Sequence, residues 1–216
     1  MFESSSQGSP EFAWQRRPWL TGQLDYELTS ADAPLLRGMW DLSRAVLDRD
    51  DLPSLRQGIS SFNRAYDHRP IDVAHRIAEL VAGLEALFVY EPEEVGYRLG
   101  LRCACLLESR PTERARIRDE IRAAYLVRSR VVHGQAPPRT VKVVGTRVSL
   151  EELAPVVEER LRVAIRLFLH LVRSTDEKTL KQRLLDQHIL AGSESPLADA
   201  LTAAAAEGLL PPSPHP

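Results

Sequence analysis

A chain of 216 residues that is 44% hydrophobic is sized for one domain with a substantial core. Its formal net charge of −2 excludes a polycation that binds nucleic acid along its whole surface, and no apolar run approaches the roughly 20 residues of a membrane span. Cys103 and Cys105 would lie about 200° apart on a helix and cannot bridge. With no further cysteine ligand nearby they read as buried, reduced thiols of a cytoplasmic protein, without a metal site or other cofactor.

Residues 1–30 mix Ser, Gly and Pro with scattered aromatics such as Trp14 and Trp19, and read as an irregular lead. The opening Met1-Phe2-Glu3-Ser4 has neither the basic start nor the apolar stretch of a signal peptide. Gly8-Ser9-Pro10-Glu11-Phe12 matches a common cloning-vector remnant and carries no fold information. A helical domain is expected over 31–192. Asp32 can cap a first helix near Pro34 that carries Leu35, Met39, Leu42 and Val46. Asp48-Arg49-Asp50-Asp51-Leu52-Pro53 breaks it. A second helix carries Leu55, Ile59, Phe62 and Tyr66.

Pro70 opens a third, with Val73, Ile77, Leu80, Val81, Leu84 and Phe88 at spacings of three and four, the strongest helical pattern in the chain. Pro92 sits at the start of a fourth, which runs to Leu107. Thr112 can cap a fifth that ends at His133, with Gly134 as its stop. Val141–Val148 can form a small hairpin or an extended loop. Ser149 followed by Glu152 has the form of a capping box for the next helix, through Leu153, Val157, Leu161, Ile165, Phe168 and Val172. A last helix near 176–190 ends at Gly192, and 193–216 form an Ala/Pro-rich, mostly disordered tail with room for a short helix from Ala200 to Leu209. The expected fold is an all-α bundle of five to seven helices with one small β-hairpin near 141–148.

The fifth helix carries the most informative residues. Ile117, Ile121, Ala124, Val131 and Val132 share a stripe at about 100° per residue, and Arg128 lies near its centre. A guanidinium on a core-facing stripe is costly unless paired. One explanation is an ion pair with a core carboxylate such as Glu85 or Glu120. The other is chemistry shared with His133, five residues on at the helix end. Glu85 is then an orienting partner, Arg102 a cleft-lining cation, and Tyr125 either core or a platform for a base.

The run Arg128-Ser129-Arg130-Val131-Val132-His133-Gly134 resembles the R-polar-x3-H signature of the HEPN superfamily. Phe62-Asn63-Arg64-Ala65-Tyr66, the stretch Arg76–Phe88 and Tyr97-Arg98-Leu99-Gly100-Leu101-Arg102 extend the likeness to the Apea-like branch, over residues 60–173. The resemblance implies a helical bundle that dimerises and, in many members, a metal-independent endoribonuclease of toxin or antiviral systems. It places Arg128 and His133 as the catalytic pair, with Ser129 positioning the scissile phosphate. Single-stranded RNA, a second copy of the chain and a protein partner or antitoxin are the expected partners. Non-catalytic members act as binding or assembly modules, which is the alternative reading here; a purely structural helical domain is the third.

Overall fold

The computed structural model describes residues 30, 33–47, 49–66 and 72–207. The expected cap at Asp32 and the opening at Pro70 lie outside these. Spacings of three and four put apolar side chains on one face of each long segment, and these faces meet in a single core. The helices are α1 (Ala33–Leu47), α2 (Pro53–Ala65), α3 (Val73–Phe88), α4 (Val95–Leu107) and α5 (Pro111–Val132). A two-stranded sheet, β1 (Thr140–Val143) and β2 (Thr146–Ser149), precedes α6 (Leu150–Leu171). The described chain closes with α7 (Glu177–Thr179), a π-helical turn at Leu180–Leu184, α8 (Leu185–Ala191) and α9 (Ala198–Ala206).

Helix α3 is the hub, packed between α2, α5 and α6. Of the residues its periodicity predicts, Ile77, Leu80, Val81, Leu84 and Phe88 are fully buried and Val73 is half-buried; Leu87 is fully buried as well. Phe88 meets Phe168 of α6 edge to face, with ring centroids 5.3 Å apart. Asp72 caps α3 by accepting from the amide of His75. The expected capping box of α6 is complete: Ser149 Oγ accepts from the Glu152 amide and the Glu152 carboxylate accepts from the Ser149 amide.

Helix α2 obtains its N-terminal cap from far along the chain. The buried Glu177 carboxylate accepts from the amides of Ser54 and Leu55, both at 3.0 Å, where the helix dipole favours an anion. One turn on, buried Lys181 donates to Ser54 Oγ at 2.8 Å and to the Ala86 carbonyl at 2.7 Å. Glu177 and Lys181 thus fasten the C-terminal segment onto the α2–α3 corner.

The hairpin pairs antiparallel in the register Thr140 to Ser149 and Val143 to Thr146, and rests on α5 and α6. Its two-residue turn, Val144-Gly145, has positive φ at both positions (47° and 83°), the geometry whose twist matches the strands. Gly145 adopts this freely, but a β-branched valine there is strained, by about 1–3 kcal/mol.

Four expectations change. Helix α4 begins at Val95, not Pro92, because Glu94 adopts a left-handed conformation and its carbonyl then accepts from Tyr97 and Arg98. The N-cap of α5 is Arg110, not Thr112: Pro111 takes the first helical position, where its missing amide hydrogen costs nothing. Within α5, Val127 is fully buried and Val132 is exposed, so the buried stripe runs Ile117, Ile121, Ala124, Val127. Beyond Gly192, Leu197 and Ala204 are buried and α9 packs on α6, so folded structure continues past 192. Among the described residues no helix is long and apolar enough to cross a membrane.

Candidate functional site

The C-terminal end of α5 is fixed by backbone bonds alone. His133 is its C-cap, and its amide donates to the Ser129 carbonyl. Gly134, at φ +66°, donates to the Val131 carbonyl, and Gln135 to the Arg130 carbonyl at 2.8 Å. This paired closure needs a left-handed residue at position 134, which glycine supplies. It holds the exposed His133 at a defined point on the surface.

One and a half turns earlier, Arg128 reaches across to α3. Its Nη2 donates to Glu85 Oε2 at 2.8 Å. The pair is half-buried, with side-chain exposures of 26% for Arg128 and 16% for Glu85. Of the two carboxylates open to Arg128 from the sequence, Glu85 is the partner; Glu120 instead binds Arg116 and Arg160. Only one guanidinium nitrogen is engaged. Nε and Nη1 have no hydrogen-bond partner among the described residues, and Glu85 Oε1 is buried and unbonded too. Burial pushes the Glu85 carboxyl above its usual range, against the opposing pull of Arg128.

That direction fixes a pH effect. A carboxyl with a raised folded pKa contributes stability that is fully present below the ordinary carboxylate pKa and lost as pH rises through the folded one. Glu85→Gln, which cannot ionise, should therefore lose less stability than the parent as pH rises from 4 upward. Denaturant unfolding of both proteins across that range checks it; parallel curves would contradict it.

The other expected site residues are placed as follows. Arg102 is buried, and every guanidinium nitrogen is used: Nε and Nη2 bind the Asp186 carboxylate, Nη1 and Nη2 bind Glu91, and Nη1 also donates to the Phe88 carbonyl. It ties α4 to α8 and to the end of α3, with no nitrogen left for a ligand. Ser129 and Tyr125 both line an open groove of about 790 Å³ between the start of α4, the outer face of α5 and the hairpin. The Arg128 guanidinium carbon lies 6.0 Å from the centre of the Tyr125 ring. Arg128 and His133 are not among the residues that line the groove.

The groove was not legible in the sequence. Its further lining includes Tyr97, Arg122 and Lys142. Tyr125 fits against α4 because residue 96 is glycine: a β-carbon there would stand 2.7 Å from the tyrosine ring. Tyr97 is mostly exposed; Tyr125 and Ser129 are the lining residues that the sequence singles out, without showing that they share a groove. Cys103 is buried and Cys105 half-buried, and both are free thiols. Burial pushes both thiols up, which keeps them unreactive. Comparison with protein-family models, curated proteins and solved structures found no match for this chain.

Proposed function

We propose that this chain is a metal-independent endoribonuclease of the HEPN type, working in the cytoplasm in a defence or toxin-like system. The observation that carries the reading is the unsaturated guanidinium of Arg128 on the helix that ends in His133. The contrast with Arg102 gives it weight. Arg102 spends all three guanidinium nitrogens on its own protein; Arg128 is anchored through Nη2, its Nε is buried, and Nη1 is left for a ligand. The resemblance of residues 60–173 to the Apea-like HEPN branch supports the same assignment.

In this mechanism the 2′-oxygen of the RNA loses its proton and attacks the adjacent phosphorus. The bond from phosphorus to the 5′-oxygen breaks, leaving a 2′,3′-cyclic phosphate, and the departing 5′-oxygen takes up a proton. His133 moves a proton, since imidazole is the side chain able to give or take one near neutral pH. Arg128 stabilises the charge that builds on the non-bridging oxygens. Glu85 and Tyr125 orient Arg128, and Ser129 helps to hold the phosphate. One histidine covers only one of the two proton transfers, so a homodimer that brings two pairs together completes the set. Val132, apolar, 58% exposed and adjacent to His133, supports such a contact. A protein antitoxin is the matching partner class.

The Arg128–Glu85 ion pair also favours a second reading, in which the chain is a non-catalytic HEPN-like module that binds RNA or a protein partner. Incubation of the purified protein with single-stranded RNA in EDTA separates the two. Fragments ending in 2′,3′-cyclic phosphate are expected. Fragments ending in 3′-hydroxyl, or cleavage only on adding magnesium, would overturn the mechanism.

A further inference from the structure

We infer that the groove between α4, α5 and the hairpin seats a single-stranded oligonucleotide, with one base on Tyr97 and the backbone on Arg122 and Lys142. The choice of RNA over other single strands rests on the nuclease reading; the groove's chemistry stands independently of it. At about 790 Å³ and open to solvent, it is large enough for a nucleotide.

Its lining suits both halves of a nucleotide. Tyr97, 56% exposed, offers an aromatic face with no burial of its own to maintain, and Tyr125 adds a second ring. Aromatic rings hold bases of any sequence because every base has a π-face. The charge is complementary as well. Arg122 and Lys142 are exposed, and neither has an ion-pair or hydrogen-bond partner among the described residues. The groove's one carboxylate, Asp119, is occupied by Arg118 at 3.2 Å. Two free cations and a neutralised anion favour a phosphate chain over an acidic or apolar peptide.

The hairpin turn adds an independent observation. Val144 is held at φ +47° and is 60% exposed at the rim of the groove. Neither turn geometry nor core packing accounts for a valine there, since Asn or Gly fits the turn better. A strained apolar residue at the mouth of a groove is accounted for if it packs against a bound base. Tyr125 links the groove to the proposed site: it lines the groove, and its ring centre lies 6.0 Å from the Arg128 guanidinium carbon.

Fluorescence anisotropy with a labelled ten-residue 2′-O-methyl oligoribonucleotide, in EDTA, tests this without cleavage, because the attacking oxygen is blocked. Tyr97→Ala should weaken binding about tenfold or more. Arg122→Gln with Lys142→Gln should weaken it further and reduce the salt dependence, lowering the slope of log K against log salt by about 0.7 per cation removed. These residues are exposed, so unfolding midpoints should stay near that of the parent. Unchanged affinity in both variants overturns the inference. So does a dimeric parent that becomes monomeric by light scattering in these variants while oligonucleotide binding persists, because the groove is then an interface between copies. Failure of the nuclease reading is distinguishable: the parent would cleave no RNA, while the groove variants would still lose affinity.

Discussion

His133→Ala is expected to lower RNA cleavage by about 10²–10⁴-fold while the fold persists. The side chain is exposed, and the helix end around it is built from backbone bonds of Gly134 and Gln135. Truncation therefore removes a proton-transfer group and almost no packing. Unfolding by heat should be shifted by no more than a few degrees. Full cleavage by this variant would remove His133 from the mechanism. A preparation that cleaves weakly and also melts much earlier would mean that the histidine is structural.

Arg102→Ala is expected to have the largest effect on stability, a loss of about 3–5 kcal/mol. The guanidinium is only 2% exposed and satisfies two carboxylates and the carbonyl that ends α3. Its removal leaves Glu91 and the Phe88 carbonyl without their main donor. It should also alter the acid limb of the stability curve. The Arg102 hydrogen bonds hold the Glu91 carboxyl at about 2. A lowered carboxyl contributes stability that is present above the ordinary carboxylate pKa and lost as pH falls toward the folded value. Arg102→Ala should therefore flatten the dependence of unfolding free energy on pH between about 4.5 and 2. An unchanged midpoint with an unchanged acid limb would contradict this role.

These two arginines show what the sequence can reveal. Arg128 drew attention because a cation on an apolar stripe is a local anomaly, readable from spacing alone. Its partner was narrowed to Glu85 or Glu120, but choosing between them depends on how α3 crosses α5, which local periodicity does not encode. Arg102 reads from the sequence as a cleft-lining cation. It is buried because Asp186, 84 positions away, is carried to it by α8. Likewise, Glu177 caps α2 across more than 120 positions, and the π-helical turn that sets Lys181 beneath α3 follows no sequence pattern.

Helices with strong stripes and complete caps were legible: α3 from its apolar spacing, α6 from Ser149 and Glu152, and the hairpin from its change of period. Their ends were less so. At α5, Pro111 outcompetes Thr112 as the start signal, and at α4 a left-handed Glu94 delays the helix past Pro92. The groove needs three separate elements to meet, so its chemistry appears only in the folded chain.

The central claim is that Arg128 is held for a phosphate and not merely for Glu85. Cleavage rate and unfolding free energy of Arg128→Ala, measured on one preparation beside the parent, test it most directly. The partial exposure of the pair lets water reach Glu85 once its partner is gone, so a loss of only about 1–2 kcal/mol is expected. RNA cleavage should fall by about 10²–10⁴-fold. A loss of roughly 3–5 kcal/mol, from a parent that itself cleaves no RNA, would make Arg128 a structural staple and contradict the claim.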